Sequence, residues 1–340
     1  MKSWKNVTLE NICALDNVMY AKQQASKGKR GRQSVIDMTD DKLIALAKQM
    51  YDGTYNPQPT RRFNKIDKYT GKMRTIDCPA FVDQVVDHAL VQILEPHMIS
   101  YFHYGACASI VGKGINYARK LIRRCAIKDR KGTHYVVKAD IRKFYSNVDL
   151  SILMIKLSKY IRDKRVLTLI RTLISQTDKG LLLGSYLSQW LANFYLTSVD
   201  RAIAQLQPKV YVRYMDNITI VFKQKRKVKL AIQALKQECQ DLNIEAKERT
   251  KEGLEHYKWH DKSITCAGYR TDCNGKQKVS SKVYKATVRL INSITRHCKA
   301  SIKGIKSLAS RIGFAKYATN CGLYLKGLKV IAKYHKCLTL

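Results

Sequence analysis

Two apolar stretches of this chain each carry an aspartate at the end of a strand, and that pattern constrains the fold more than any other feature. Tyr135-Val136-Val137-Lys138-Ala139-Asp140 reads as a strand. Val210-Tyr211-Val212-Arg213-Tyr214 and Ile218-Thr219-Ile220-Val221-Phe222 read as the arms of a hairpin, with Asp216-Asn217 as its tight turn. If these strands join in one sheet, both carboxylates project from the same edge. Carboxylates that close repel unless cations neutralise them, so the pattern invites Mg²⁺. Taken singly, either aspartate is more often a cap or turn former. Asp149, just before Leu150-Ser151-Ile152, is expected to be such a cap. Spacing by itself leaves both readings open.

Around these strands the period is helical. Ser151–Lys164, Ser185–Leu206 and Val228–Leu242 read as helices, which predicts an α+β layer with helices on one face of the sheet. The region before the first strand reads mainly as helix, with a basic loop at Lys27-Gly28-Lys29-Arg30-Gly31-Arg32 and turn chemistry at Asn56-Pro57 and Thr70-Gly71. Beyond Asp272 there is no acidic residue, while fifteen Lys and Arg lie between Lys276 and Lys336. There Val283, Thr287, Leu290 and Ile294 form one helix face, and Lys282, Lys285, Arg289 and Arg296 fall on another. A solvated face normally mixes signs, so a single sign favours contact with phosphate.

Charge sets the class of partner. Lys and Arg number 63 against 26 Asp and Glu, a net charge of +37 on 340 residues that are 45% hydrophobic. Such a chain is globular, and a folded body so charged is usually compensated by a polyanion, nucleic acid first. Ribosomal-type packing and a membrane surface are the blander alternatives. No stretch reaches the ~18 apolar residues of a membrane span. The start, Met1-Lys2-Ser3-Trp4-Lys5-Asn6, leads into no apolar leader segment, so a cytoplasmic protein is expected. The ten cysteines are scattered and read as small apolar residues of a reducing compartment. Neither Cys266 with Cys273 nor His256 with His260 has a matching second half, so no zinc site is expected.

The motifs then become recognisable. Lys138-Ala139-Asp140-Ile141-Arg142-Lys143-Phe144-Tyr145 resembles the first catalytic motif of reverse transcriptases, and Tyr214-Met215-Asp216-Asn217 resembles their Tyr-x-Asp-Asp hairpin. Between them, the segment from Leu183-Gly184-Ser185 to Ser188-Gln189 and Asn193 is similar to the helix start that supports template and incoming nucleotide. Lys72-Met73-Arg74-Thr75-Ile76 and the segment Phe81–Leu90 resemble the fingers motifs of bacterial retroelement enzymes, and Ala267-Gly268-Tyr269-Arg270 resembles the primer-grip turn. An aliphatic residue, Gly, three residues, Ser and Gln is the form most similar to diversity-generating retroelements, and some phage-defence enzymes share it. Asn217 departs from the usual second Asp, and Leu182 from a frequent Pro. The segment Tyr104–Ser109 lacks an Arg often found nearby, for which Lys113 is the candidate substitute.

The resemblance implies an α+β right-hand polymerase fold: fingers over 1–133, a palm over 134–275 with fingers elements interleaved, and a basic helical thumb over 276–340. It implies an RNA-directed DNA polymerase of a bacterial or phage retroelement, in which a primer 3′-hydroxyl attacks the α-phosphate of a deoxynucleotide. Asp140 and Asp216 would hold two Mg²⁺ ions, or Mn²⁺ in their place, with the backbone carbonyl of Ile141; Asn217 would sit at an outer position. Lys72 and Arg74 would bind the triphosphate, and Arg249 stands near the lysine position of the next motif. Tyr145 would stack under the sugar and exclude a 2′-hydroxyl. Gly184 would let backbone approach the nucleotide, and Gln189 would face the template. Lys282, Lys285 and Arg289 would track the duplex backbone. The implied partners are template RNA, an RNA/DNA duplex and deoxynucleotides, with a structured noncoding RNA or a basic helical accessory protein among the candidates, and no membrane. Two alternatives stand beside this reading: a phage-defence enzyme making DNA from its own noncoding RNA, and a catalytically weak RNA-binding scaffold, which Asn217 motivates.

Overall fold

The computed structural model describes residues 3–67, 71, 73–129, 134–177, 179–248, 254–297, 301–319 and 321–335. Helices Leu9–Cys13, Leu15–Ala25, Gln33–Ile36 and Asp40–Tyr51 precede a hairpin in which β1 (Arg61–Ile66) pairs antiparallel with β2 (Met73–Cys78), Lys65 lying opposite Arg74. Helical periodicity misses this hairpin because β1 is exposed along its whole length and shows no alternation to read. Helices Phe81–Tyr101 and Ile115–Lys128 follow.

The central sheet joins β3 (Tyr135–Asp140), β4 (Val210–Tyr214), β5 (Asn217–Phe222) and β6 (Glu255–Lys258) in the order β4-β5-β3-β6, every pairing antiparallel. Alternate residues face opposite sides. Val137, Ala139, Tyr211, Ile218, Ile220 and Phe222 join the main core, which runs from Trp4 to Leu254 and so includes the N-terminal helices. Val136, Val210, Val212 and Val221 join a second core with Ala118, Ile122 and Ala126 of the helix Ile115–Lys128. The sheet is therefore covered on both faces, not on one. Both sides of β3 and β5 are apolar, so neither could be left in water.

Three local expectations are corrected. The hairpin turn is Met215-Asp216, because Asn217 is already the first residue of β5, paired with Tyr214 on one side and Asp140 on the other. Met215 takes φ 54, the positive value that tight hairpin turns require at their first position. The helix expected over Ser151–Lys164 stops at Ser158, and a separate helix, Lys164–Ile174, starts where it was expected to end, because Asp163 caps a fresh start by accepting from Arg165 N. The helix expected over Ser185–Leu206 is two, Tyr186–Tyr195 and Thr197–Gln205, broken at Leu196. Asp149 is the expected cap, accepting from Ser151 N and Ile152 N, and the following helix, Lys225–Asp241, begins a turn ahead of its apolar pattern.

Beyond β6 lies a small antiparallel sheet of β7 (Ile264–Cys266), β8 (Tyr269–Thr271) and β9 (Gln277–Val279). The expected division at 275/276 falls inside it, since β9 pairs with β8. Helices Ser281–His297, Ile302–Ala315 and Gly322–His335 then close on their own core of Ile291, Ile294, Ile305, Leu308, Ile312 and Tyr334. Among the described residues no helix is long and apolar enough to cross a membrane.

Candidate active site

The antiparallel register carries Asp140, at the end of β3, to a position opposite Asn217, one residue past Asp216. Ile141 N–H donates to the Asp216 carbonyl at 3.1 Å, so the two aspartates are stitched through backbone. A third segment closes the edge: Lys247 N–H donates to the Asp140 carbonyl at 2.7 Å, and the Lys247 ammonium pairs with the Asp140 carboxylate. Burial pushes the Asp216 carboxyl above its ordinary value and the Asp140 charge adds to that, while Lys247 and Arg74 pull it back. Arg74 is exposed on β2, 3.7 Å from Asp67, and its charge reaches Asp216.

Lys143 takes φ 41 and ψ 48 and starts the short turn Phe144–Asn147, which returns Tyr145 to the same edge. Its hydroxyl lies 3.6 Å from Met215 Sδ, and burial, then the Asp216 charge, push the hydroxyl pKa well up. Asn217 has a buried Oδ1 with no hydrogen-bond partner among the described residues. Two repelling carboxylates and an orphaned amide oxygen are hard donors that suit divalent cations. Among the described residues no three His, Cys, Asp or Glu side chains gather as metal ligands.

Gly184 meets a packing constraint beside the one its motif suggests. Its φ is 143, and a Cβ there would lie 2.0 Å from the Asp77 carbonyl oxygen of β2. Asp77 N–H donates to the Leu183 carbonyl at 3.0 Å. The glycine thus seats the β1–β2 hairpin against the loop before the helix Tyr186–Tyr195. Ser185 caps that helix through Ser188 N and donates at 2.7 Å to buried Asp87, whose carboxyl burial pushes up to about 6. Gln189, one turn on, accepts from Ser109 Oγ at 2.8 Å.

The remaining expected residues lie apart from this edge or outside the described chain. Lys282, Lys285 and Arg289 are exposed on the helix Ser281–His297. Lys113 donates to the Tyr104 carbonyl at 3.1 Å within its own loop. Lys72 and Arg249 lie outside the described residues. Lys247, which sequence reading passed over in favour of Arg249, is the base that meets Asp140; one lysine among 63 basic residues carries no signal without the strand register.

A model of the family described as reverse transcriptase (RNA-dependent DNA polymerase) matches residues 64–260, which contain both aspartates, their sheet and Lys247. The chain belongs to the reverse transcriptase family. Its architecture is accordingly the α+β right-hand polymerase fold. Among similar proteins, the group II intron-encoded protein LtrA of Lactococcus lactis subsp. cremoris is 28% identical over 206 residues, 56% of this chain and 34% of LtrA. Protein YkfC of Escherichia coli (strain K12) is 23% identical over 241 residues, 58% of this chain and 62% of YkfC. The chain thus spans about a third of one relative and under two thirds of the other. Among solved structures, apo telomerase from Candida tropicalis, truncated from its C-terminal domain, aligns over 71% of this chain and 60% of that one, at TM-score 0.49 and 12% identity.

Proposed function

We propose that this chain is an RNA-directed DNA polymerase of a bacterial or phage retroelement, extending a primer 3′-hydroxyl with deoxynucleotides along an RNA template. The observation that carries the reading is the meeting of Asp140 and Asp216 at one end of one sheet, with Arg74, Tyr145 and Lys247 around them. Divalent cations, when bound, supply activation of the attacking hydroxyl and neutralise charge on the leaving pyrophosphate. Asp140 and Asp216 would hold them. Lys247 balances the Asp140 charge, Arg74 orients the triphosphate, and Tyr145 lies under the sugar. The test is primer extension on an RNA template with Mg²⁺ or Mn²⁺, alongside sequencing of nucleic acid copurified with the protein and with its Asp140→Ala variant. Deoxynucleotide incorporation supports the reading; none under either metal, with RNA still copurifying, favours a scaffold.

The form Leu183-Gly184 through Ser188-Gln189 supports a diversity-generating element, which would copy a template-repeat RNA with a basic helical accessory protein. A repeated variable target beside the gene supports that biology. An isolated gene with a structured noncoding RNA supports phage defence instead.

Two expectations follow from the roles assigned. Tyr145→Ala is expected to lower discrimination against ribonucleotides by about 10- to 100-fold, measured as the ratio of kcat/KM for the two sugars. Unchanged discrimination removes Tyr145 from the sugar site. Replacing Lys282, Lys285 and Arg289 together by glutamine is expected to flatten the log–log salt dependence of duplex binding by about one per lost phosphate contact. An unchanged slope makes that face merely solvated.

A further inference from the structure

Arg213 is fully buried inside β4, one strand position before the motif that bears Asp216. A charge there is tolerated only if its hydrogen-bonding groups are met. They are all met. Nε and Nη2 grip the Asp200 carboxylate in a fork at 2.7 Å each. Nη1 donates to Asn193 Oδ1 at 2.9 Å and to the Met215 carbonyl at 3.5 Å, and Nη2 to the Asn193 carbonyl at 3.3 Å. All the N–H groups of the guanidinium are thereby used. Tyr211 OH adds a donor to Asp200 at 2.5 Å.

What the fork holds is specific. Met215 is the positive-φ residue that launches the turn bearing Asp216, and a non-glycine residue persists in that conformation only when its surroundings hold it there. Asn193 lies one helical turn beyond Gln189, on the same face of the helix Tyr186–Tyr195. Its amide also donates to the Ala108 carbonyl at 3.0 Å, next to Ser109, which donates to Gln189. Backbone of the same loop pairs with β4, Cys107 N–H to the Arg213 carbonyl at 2.9 Å and Arg213 N–H to the Gly105 carbonyl at 2.8 Å. The guanidinium therefore joins the acidic turn to the helix of Gln189, and the Asn193 amide and the Arg213 backbone tie in the loop beneath it.

We propose that Arg213 is a positioning residue that, through Asn193 and the Met215 carbonyl, locks the Asp216 turn to the helix carrying Gln189, so that the cation-holding edge and the nucleotide side of the site keep one fixed spacing. This rests on the polymerase reading above. A lysine at 213 keeps a charge for Asp200 but cannot fork to three acceptors. Asn193→Ala leaves the Arg213–Asp200 pair and the contact to the residue-193 carbonyl intact, so it removes the shorter, Oδ1 link without stranding a buried charge.

The experiment compares wild type, Arg213→Lys and Asn193→Ala on an RNA template and DNA primer, with the folded fraction read by near-ultraviolet circular dichroism. Mn²⁺ binding is measured calorimetrically on the same proteins without nucleotide. Expected for folded Asn193→Ala is a fall in kcat of about 10- to 100-fold with little change in the nucleotide KM, and a weakened Mn²⁺ affinity. Arg213→Lys should not restore either. The proposal is overturned if kcat per folded molecule and Mn²⁺ affinity in Asn193→Ala both equal wild type. If wild type binds Mn²⁺ yet extends nothing, the polymerase reading fails on its own. Mn²⁺ affinity then decides the positioning role, equal values overturning it. No Mn²⁺ binding by wild type overturns it too.

Discussion

Asp216→Asn is expected to lower nucleotide incorporation by at least about 10³-fold, a barrier increase of about 4 kcal/mol, while the chain folds as well as or better than wild type. The two halves of that expectation have separate causes. In the cation-free fold the Asp216 charge is unfavourable, raised first by burial and then by Asp140. An amide removes both penalties at nearly constant volume. With cations present the same charge becomes the ligand, and a neutral amide oxygen is a poorer one. Thermal unfolding in chelator should therefore show a midpoint equal to or above wild type. Added Mn²⁺ should raise the wild-type midpoint, by the mass action of ligand bound only to the native state, and leave the variant unmoved. A variant that loses activity together with its fold in chelator would show that Asp216 is a structural cap after all.

How much of this was legible in sequence differs from residue to residue. Asp140 and Asp216 were readable because an acid closing an apolar strand has no packing reason to be there. Their pairing was readable only as a condition, because register is a property of the assembled sheet. The turn was misplaced by one residue: Asp-Asn is the better turn dipeptide, yet pairing with Asp140 draws Asn217 into β5 and leaves Met215 to take the positive φ. The second covered face of the sheet was visible in the two-sided apolarity of β3 and β5, but nothing local says which helix covers it. Arg213 did leave a signal: an arginine inside an apolar, buried strand must find a buried carboxylate, and Asp200 on the helix before β4 is that partner. Lys247 left none. Its meeting with Asp140 depends on chain returning to the end of β3, where Arg142 N–H donates to the Glu245 carbonyl at 2.8 Å.

Gly184→Ala separates two accounts of one glycine, and its expected result is a loss of stability, not a selective loss of nucleotide binding. An alanine must adopt φ 143, a conformation that L side chains rarely take and that costs about 1–3 kcal/mol. Its Cβ must also sit 2.0 Å from the Asp77 carbonyl oxygen, with Ile76 Cγ2 at 3.4 Å behind. Backbone cannot rotate out of the way as a side chain can, so overpacking adds about 1–3 kcal/mol. The total, about 2–6 kcal/mol, is a large part of the stability of an ordinary domain. The alternative to paying it is for β2 to swing away, which breaks the bond between Asp77 N–H and the Leu183 carbonyl and carries Arg74 away from the carboxylate edge. Either route lowers the thermal midpoint or frees the hairpin, and hydrogen exchange at Asp77 N–H reads the second directly. Adding Asp77→Ala should rescue nothing, because the obstacle is a main-chain oxygen. If Gly184→Ala instead keeps its midpoint and its protection at Asp77 and only raises the nucleotide KM, the glycine serves the nucleotide and the seat on β2 is incidental.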